Sequence, residues 1–394
     1  MQPLGITQHT LVTALGHGRD ATFAALRDGR TGLARRGFET ADIGSWLGVV
    51  AGIDGLDWRA DLADYDCRNN RLAELALRAD GFGDAVRAAA ARWGAQRVGV
   101  FLGTSTSGIL QTELAYRARD AATGALPGWL HYGQTHNTYS VARYVRAALG
   151  LTGPAHVVST ACSSSAKVYA AAERMIRLGL VDAAVVGGVD SLCMTTLYGF
   201  QALELTSGEI CRPWDATRAG LSIGEAAAFA LLERDATRPM GWLLGAGESS
   251  DGHHMSSPHP EGAGAALAMR AALAQAGLQP GHVDHLNLHG TGTPGNDAAE
   301  DQAVCTVFGT ALPCSSTKGY TGHTLGAAGG VEASIALLAL QHGLAPPNLN
   351  LQTQDPALHA HLLREPLQRP LQVVASNSFG FGGSNACLIF GGVR

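Results

Sequence analysis

The stretch Ala155-His-Val-Val-Ser-Thr-Ala-Cys162-Ser-Ser-Ser-Ala-Lys-Val-Tyr169 runs from a short apolar strand into a helix. Cys162 sits at the turn with small residues on both sides. A thiol at a helix N-terminus meets unpaired backbone N–H groups and the positive end of the helix dipole. Both favour the thiolate, so a lowered pKa is expected. Ala161, Ser163 and Ser164 leave room for an acyl group on the sulfur. The competing reading is a buried structural cysteine, the usual state of a free thiol. The other six cysteines, at 67, 193, 211, 305, 314 and 387, are read that way.

Outward from this turn, similar apolar runs recur at Arg97–Leu102, Ala183–Val186, Val283–Leu288, Val373–Ala375 and Ala386–Phe390. Stretches of helical length, rich in Ala and Leu, lie among them, at Arg71–Ala79, Ser165–Leu178, Ala263–Ala276 and Gly329–Gln341. Strands alternating with helices predict an α/β protein with a largely parallel sheet covered on both faces. A weak internal repeat is expected. His156–Ser159 leads to Cys162 in one half, and Val283–Leu288 leads to His289 in the other. The halves are placed at 1–240 and 241–394.

The chain has 394 residues, 51 of them Gly, and a formal charge of −5. The Gly excess follows no triplet period, which excludes collagen, and it lies between apolar runs, which argues against disorder. The acidic balance argues against a nucleic-acid binder. An odd cysteine count without CxxC points to a reducing compartment. No Lys or Arg precedes Arg19, and no apolar run approaches the ~20 residues of a membrane span. A cytoplasmic protein, not bound to membrane, is expected.

His289 and His323 lie in loops rich in Gly and Thr, and Lys318 precedes His323 by five residues. Neutral imidazoles in such loops can donate to a developing oxyanion. Gly290-Thr-Gly292-Thr-Pro-Gly295 also fits the dinucleotide pattern G-x-G-x-x-G, which would suggest an NAD-binding oxidoreductase. Pro294 inside the loop, and no acidic residue ~20 positions after it, disfavour that. His253, His254 and His259 fit no zinc spacing, so no metal is expected. Phe379 and Phe381, in Asn377-Ser-Phe-Gly-Phe-Gly-Gly383, sit on a loop able to gate a pocket.

Together these motifs resemble the β-ketoacyl-[acyl-carrier-protein] synthases, elongating condensing enzymes of the thiolase superfamily. Thr160–Ser165, Cys211-Arg-Pro-Trp-Asp215, His289-Gly-Thr-Gly-Thr293, Ser316-Thr-Lys318, Gly322-His323 and the 377–383 loop carry the resemblance, in this order. It implies a thiolase-like five-layer α/β/α/β/α fold of two similar halves with mixed sheets. It implies decarboxylative condensation of an acyl group with malonyl-carrier through acyl-Cys162, with no cofactor. Cys162, His289, His323 and Lys318 would be catalytic, and the amides of Cys162 and Phe381 would form the oxyanion hole. Thr291 and Thr293 would bind the phosphopantetheine arm, and Thr106, Phe200 and Phe379 the acyl group. Phe379, Phe381, Asp251 and His254 would gate the pocket, and Glu300 would belong to a structural charge network. The partners implied are an acyl carrier protein bearing acyl or malonyl groups, met at Arg68 and Arg71, and a second subunit. That subunit would be another copy or a related condensing-enzyme chain, and activity only as a heterodimer is one alternative. Cys162-Ser-Ser-Ser and Asp190-Ser-Leu-Cys look closer to polyene or polyketide clusters than to housekeeping fatty-acid enzymes.

Overall fold

The computed structural model describes residues 3–393. Its main strands are β1 (Leu4–Thr13), β2 (Val98–Gly103), β3 (Ala155–Val158), β4 (Ala183–Asp190), β5 (Ala226–Glu233), β6 (Gly241–Ser250), β7 (His285–Asn287), β8 (Pro313–Ser315), β9 (His361–Leu362), β10 (Val373–Gly380) and β11 (Ser384–Gly391). The helices that matter here are α1 (Arg68–Arg78), α2 (Ile109–Arg117), α3 (Ser140–Ala148), α4 (Ser164–Arg177), α5 (Met194–Ala202), α6 (Ala263–Ala276), α7 (Pro294–Phe308) and α8 (Ala328–His342).

The strands run in the order β9-β8-β7-β10-β11-β6-β1-β5-β4-β2-β3. In the first half, β3, β2 and β4 are parallel, and β5 and β1 follow antiparallel. The second half repeats this with β8, β7 and β10 parallel, then β11 and β6 antiparallel. The two half-sheets join through a short ladder in which Leu4–Ile6 pair with Gly241–Leu243. The matching order corrects the pairing of halves expected from sequence. β3 with Cys162 corresponds to β8 with the Lys318–His323 loop, whereas His289 follows β7, the counterpart of β2. Loops with chemistry-bearing residues follow several apolar strands of similar look, and only strand order distinguishes them.

Five layers result. α1 and α3 cover the outer face of the first half-sheet, and α6 and α7 that of the second. α4 and α8 lie between the sheets within one apolar cluster that draws on both. α8 is buried from Ala328 to Leu340, so it is apolar on every face, as a central helix must be. Its Gly329 permits the crossing: a Cβ there would lie 2.7 Å from Ala166 of α4. Ser165 Oγ also accepts the Gly330 N–H at 2.9 Å. The N-terminal ends of the two central helices are thereby held together, and the loops preceding them carry Cys162 and His323.

Candidate active site

The chain enters α4 through a sharp elbow. Ala161 has φ 51°, a left-handed conformation sparsely populated for a residue with a side chain. Such strain next to a nucleophile is a means of projecting it from a strand–helix turn. The 379–383 loop closes over this elbow. A Cβ at Gly380 would lie 2.5 Å from the Thr160 carbonyl oxygen and 3.2 Å from the Cys162 nitrogen, so only glycine permits the approach.

Cys162, His289 and His323 all line one cavity of about 400 Å³. The imidazoles stand edge to face with centroids 5.3 Å apart, and Phe379 lies 5.6 Å from His289. Burial holds both histidines well below the usual imidazole range, and the Lys318 charge pushes the same way. Both rings are therefore neutral at neutral pH. Lys318 Nζ donates to the His289 carbonyl oxygen and faces His289 Nδ1 at 3.5 Å. An ammonium only donates, so Nδ1 accepts and the ring proton sits on Nε2.

Sequence reasoning expected a lowered thiol pKa. Burial instead pushes the Cys162 thiol up to about 12, with Lys318 pulling it down and Asp190 and Glu332 opposing. The helix N-terminus acts against burial by up to ~2 kcal/mol, less than the desolvation of a buried thiolate. At neutral pH the buried thiol keeps its proton.

Glu300 accepts from the backbone N–H of His289 and of Gly290, each at 2.8 Å, and from Asn377 Nδ2 at 3.1 Å. Asp297 accepts from the Gly292 N–H at 3.2 Å. These carboxylates of α7 fill the amides that a dinucleotide pyrophosphate would need, which removes the oxidoreductase reading. The ion-pair partner of Lys318 is Glu332, at 2.5 Å with both side chains buried. Sequence reading missed Glu332. Its signal was a lone carboxylate within the apolar run Gly329–Gln341, which demands a buried cation.

Thr291 and Thr293 line the cavity and share a hydrogen bond at 2.8 Å. Phe200 and Phe381 also line it and stack at 5.6 Å. Asp251 lies on the wall, and its loop is tied to the 379–383 loop by Asp251 N–H to the Gly383 carbonyl and Gly382 N–H to the Met255 carbonyl. His254 points elsewhere: it is exposed and accepts from the Ser256 and Ser257 amides, both at 3.2 Å.

Three assignments are corrected. Thr106 does not line the cavity; its amide and hydroxyl are both turned into the buried Asp190 carboxylate, each at 2.9 Å. Arg68 is not a free docking charge. Its side chain is 10% exposed, with the guanidinium bidentate to Glu225 at 2.6 and 2.8 Å. Arg71 is paired with Asp66 and shares a groove with Glu39, Asp54 and Asp64. Neighbouring carboxylates claimed both cations: Asp66 lies five residues from Arg71, whereas Glu225 lies 157 residues from Arg68, beyond any local sequence rule.

Two structurally matched half-sheets with a buried cysteine at the entry to a central helix define a thiolase-like fold. Comparison with known proteins narrows the class. Residues 70–238 match the model for the β-ketoacyl synthase N-terminal domain, and residues 240–352 the model for its C-terminal domain. The 3-oxoacyl-[acyl-carrier-protein] synthase 2 of Vibrio cholerae is 34% identical over 321 residues, 75% of this chain and 76% of that protein. The mitochondrial 3-oxoacyl-[acyl-carrier-protein] synthase of Arabidopsis thaliana is 40% identical over 272 residues, 64% of this chain and 59% of that protein. Among solved structures, the ketosynthase ApeO of Xenorhabdus doucetiae, in complex with its chain length factor ApeC, superposes with a TM-score of 0.91 at 37% identity, over 100% of this chain and 98% of that one. The chain belongs to the β-ketoacyl synthase family, acyltransferases of the condensing-enzyme type.

Proposed function

We propose that this synthase elongates an acyl chain bound to an acyl carrier protein, in fatty-acid or polyene/polyketide synthesis, through acyl-Cys162. One observation carries the reading: Cys162 and two neutral histidines converge on a single apolar cavity, with Lys318 fixing the tautomer of His289. The Cys162 sulfur attacks the carrier thioester, a new S–C bond forms, and the bond to the phosphopantetheine sulfur breaks. The thiol proton leaves with that sulfur. The amides of Cys162 and Phe381 receive the oxyanion, each worth roughly 3 kcal/mol in such sites.

The malonyl thioester follows, with Thr291 and Thr293 along its arm. His289 Nε2–H and the His323 ring donate to its carbonyl oxygen. The C–CO2 bond breaks and its electron pair forms the enolate. The enolate carbon then attacks acyl-Cys162, a C–C bond forms, the C–S bond breaks, and one solvent proton restores the thiol. No step calls for a metal or a redox cofactor. The Phe200–Phe381 stack forms part of the acyl wall and of the gate.

A second subunit belongs to the same proposal. β3 is an open edge of the sheet, a template for pairing. Tyr116, Trp129, Tyr132 and Tyr198 are exposed. The solved relative ApeO is in complex with its chain length factor, which supports a related condensing-enzyme chain as partner, with a homodimer as the other form. A division of function near residue 240 and a cytoplasmic site of action complete the reading. No helix among the described residues is long and apolar enough to cross a membrane.

The test is intact mass after exposure to a panel of acyl-carrier thioesters, beside Cys162→Ala. Acyl mass on the wild type alone is expected. An equal adduct on the variant overturns the assignment of the nucleophile. Co-expression with candidate partner chains and the native mass of the product decide the subunit composition.

A further inference from the structure

Asp190 closes β4 and is completely buried, yet every group bonded to it is neutral. Its two oxygens receive six donors. Thr104 Oγ1 lies at 2.6 Å, the Ser105 amide and hydroxyl at 2.8 and 2.5 Å, and the Thr106 amide and hydroxyl at 2.9 Å each. The sixth is the Gly326 N–H at 2.5 Å. A buried carboxylate is tolerated only when its lone pairs are filled in this way.

These donors come from two distant segments. Residues 104–106 form the turn after β2 in the first half. Gly326 belongs to the second half, three residues after His323, in the turn that enters α8. Each segment kinks beside the carboxylate through a left-handed residue bearing a side chain, Ser107 at φ 47° and Leu325 at φ 54°. Such conformations persist only where the surroundings enforce them. The junction has no slack: a Cβ on Gly326 would lie 2.7 Å from Asp190 Oδ2 and 2.8 Å from the Ser105 nitrogen. Asp190 itself does not line the cavity.

We propose that Asp190 is a positioning residue for the condensation step: its carboxylate ties the turn after β2 to the loop of His323 and so fixes that imidazole opposite Cys162. The inference rests on the reading of the site given above. Because Asp190 touches neither the carrier arm nor the acyl wall, its loss acts on turnover and spares binding. This would also explain why Thr106, a residue of the expected acyl pocket, is turned inward.

The experiment uses the full-length protein with whatever partner subunit it requires. Malonyl-carrier decarboxylation is followed for Asp190→Asn, which keeps the volume but turns an amide N–H toward N–H donors. The decarboxylation kcat is expected to fall at least tenfold with KM for malonyl-carrier changed less than threefold. Ser105→Ala removes one donor and keeps the carboxyl; Thr104→Val does the same and also frees the Ser107 amide, which donates to Thr104 Oγ1 at 3.0 Å. They are expected to lower kcat two- to fivefold, again without a KM change, and they carry the test if Asp190→Asn does not fold. A kcat per folded site within twofold of wild type, whatever the loss in melting temperature, overturns the proposal. So does a loss that lies in KM alone. Failure of the wild type to form an acyl adduct would instead overturn the underlying reading of the site.

Discussion

Removing either member of the Lys318–Glu332 pair should destabilise the protein far more than removing both. The charges lie 2.5 Å apart with side chains 1% and 3% exposed. At an effective dielectric of 20 the gross attraction is ~6.6 kcal/mol, set against a desolvation penalty of several kcal/mol per ion. Lys318→Met strands Glu332, which has a second oxygen already without a partner. Glu332→Leu strands an ammonium whose remaining acceptors, the His289 carbonyl and Nδ1, are both neutral. Each single change is expected to cost about 3–5 kcal/mol, as for other broken buried pairs. The double variant replaces the pair by two apolar side chains and should recover most of that, giving a coupling energy of about 3 kcal/mol or more. Urea midpoints at fixed protein concentration measure it. Catalysis should not recover in parallel, because Lys318 also orients His289. The double variant is expected to be folded yet at least tenfold slower in decarboxylation. Singles that cost less than 1 kcal/mol, or a double equal to their sum, would refute the reasoning.

Four further outcomes are expected. Gly380→Ala drives a Cβ to 2.5 Å from the Thr160 oxygen, so acylation of Cys162 should fall at least a hundredfold in a stopped intact-mass assay, with near-normal folding by circular dichroism. Phe200→Ala should shift the preferred acyl length in a competition assay, whereas Thr106→Val should not, because only Phe200 lines the cavity. Arg68→Met should lower stability by about 3 kcal/mol through loss of the buried Glu225 pair and leave carrier affinity unchanged by titration calorimetry.

The last concerns pH. Burial lowers His9 and His285 to about 3, and holds His289 and His323 well below their unfolded value near 6.5. Their folded pKa is depressed, so the unfolded chain binds more protons below pH 6.5. This part of the stability is present above that pH and is lost as the pH falls toward 3. Glu300, raised to about 7, and Asp297, raised to about 6, act in the opposite sense between their unfolded and folded values. His285→Gln should therefore flatten the acid limb of the stability curve by about 1.4 kcal/mol per pH unit between pH 6 and 4. An unchanged slope would show that His285 is already charged in the folded state.

Much of the fold was legible because its signals are local. The apolar runs at 97–102, 183–186, 373–375 and 386–390 became β2, β4, β10 and β11, and Ala263–Ala276 became α6 with the expected bounds. β1, β5 and β6 were not foreseen. Segments such as Ala226–Glu233 are Ala- and Leu-rich and carry no clear period of two, so helix and strand look alike there. The chemistry-bearing residues stood out because cysteine, histidine and lysine among Gly, Thr and Ser have few structural uses. Arg68, Thr106 and Glu332 were misread or missed because their partners, Glu225, Asp190 and Lys318, lie 157, 84 and 14 residues away.

The sequence by itself determined the strand–turn–helix that carries Cys162, the two loops with His289 and His323, and the Gly-rich loop around Gly380. These depend on side-chain size and backbone freedom, which are properties of single residues. Only the tertiary structure decided the ionisation of the site. The same thiol that a helix N-terminus would activate is buried between two sheets, and the same histidines lose their charge to that burial and to Lys318. It also decided which carboxylate serves which half: Glu300 holds the His289 loop, Glu332 holds Lys318, and Asp190 spans the two halves. Desolvation and charge pairing act through space, so they appear only when the sheets and the central helices have been brought together.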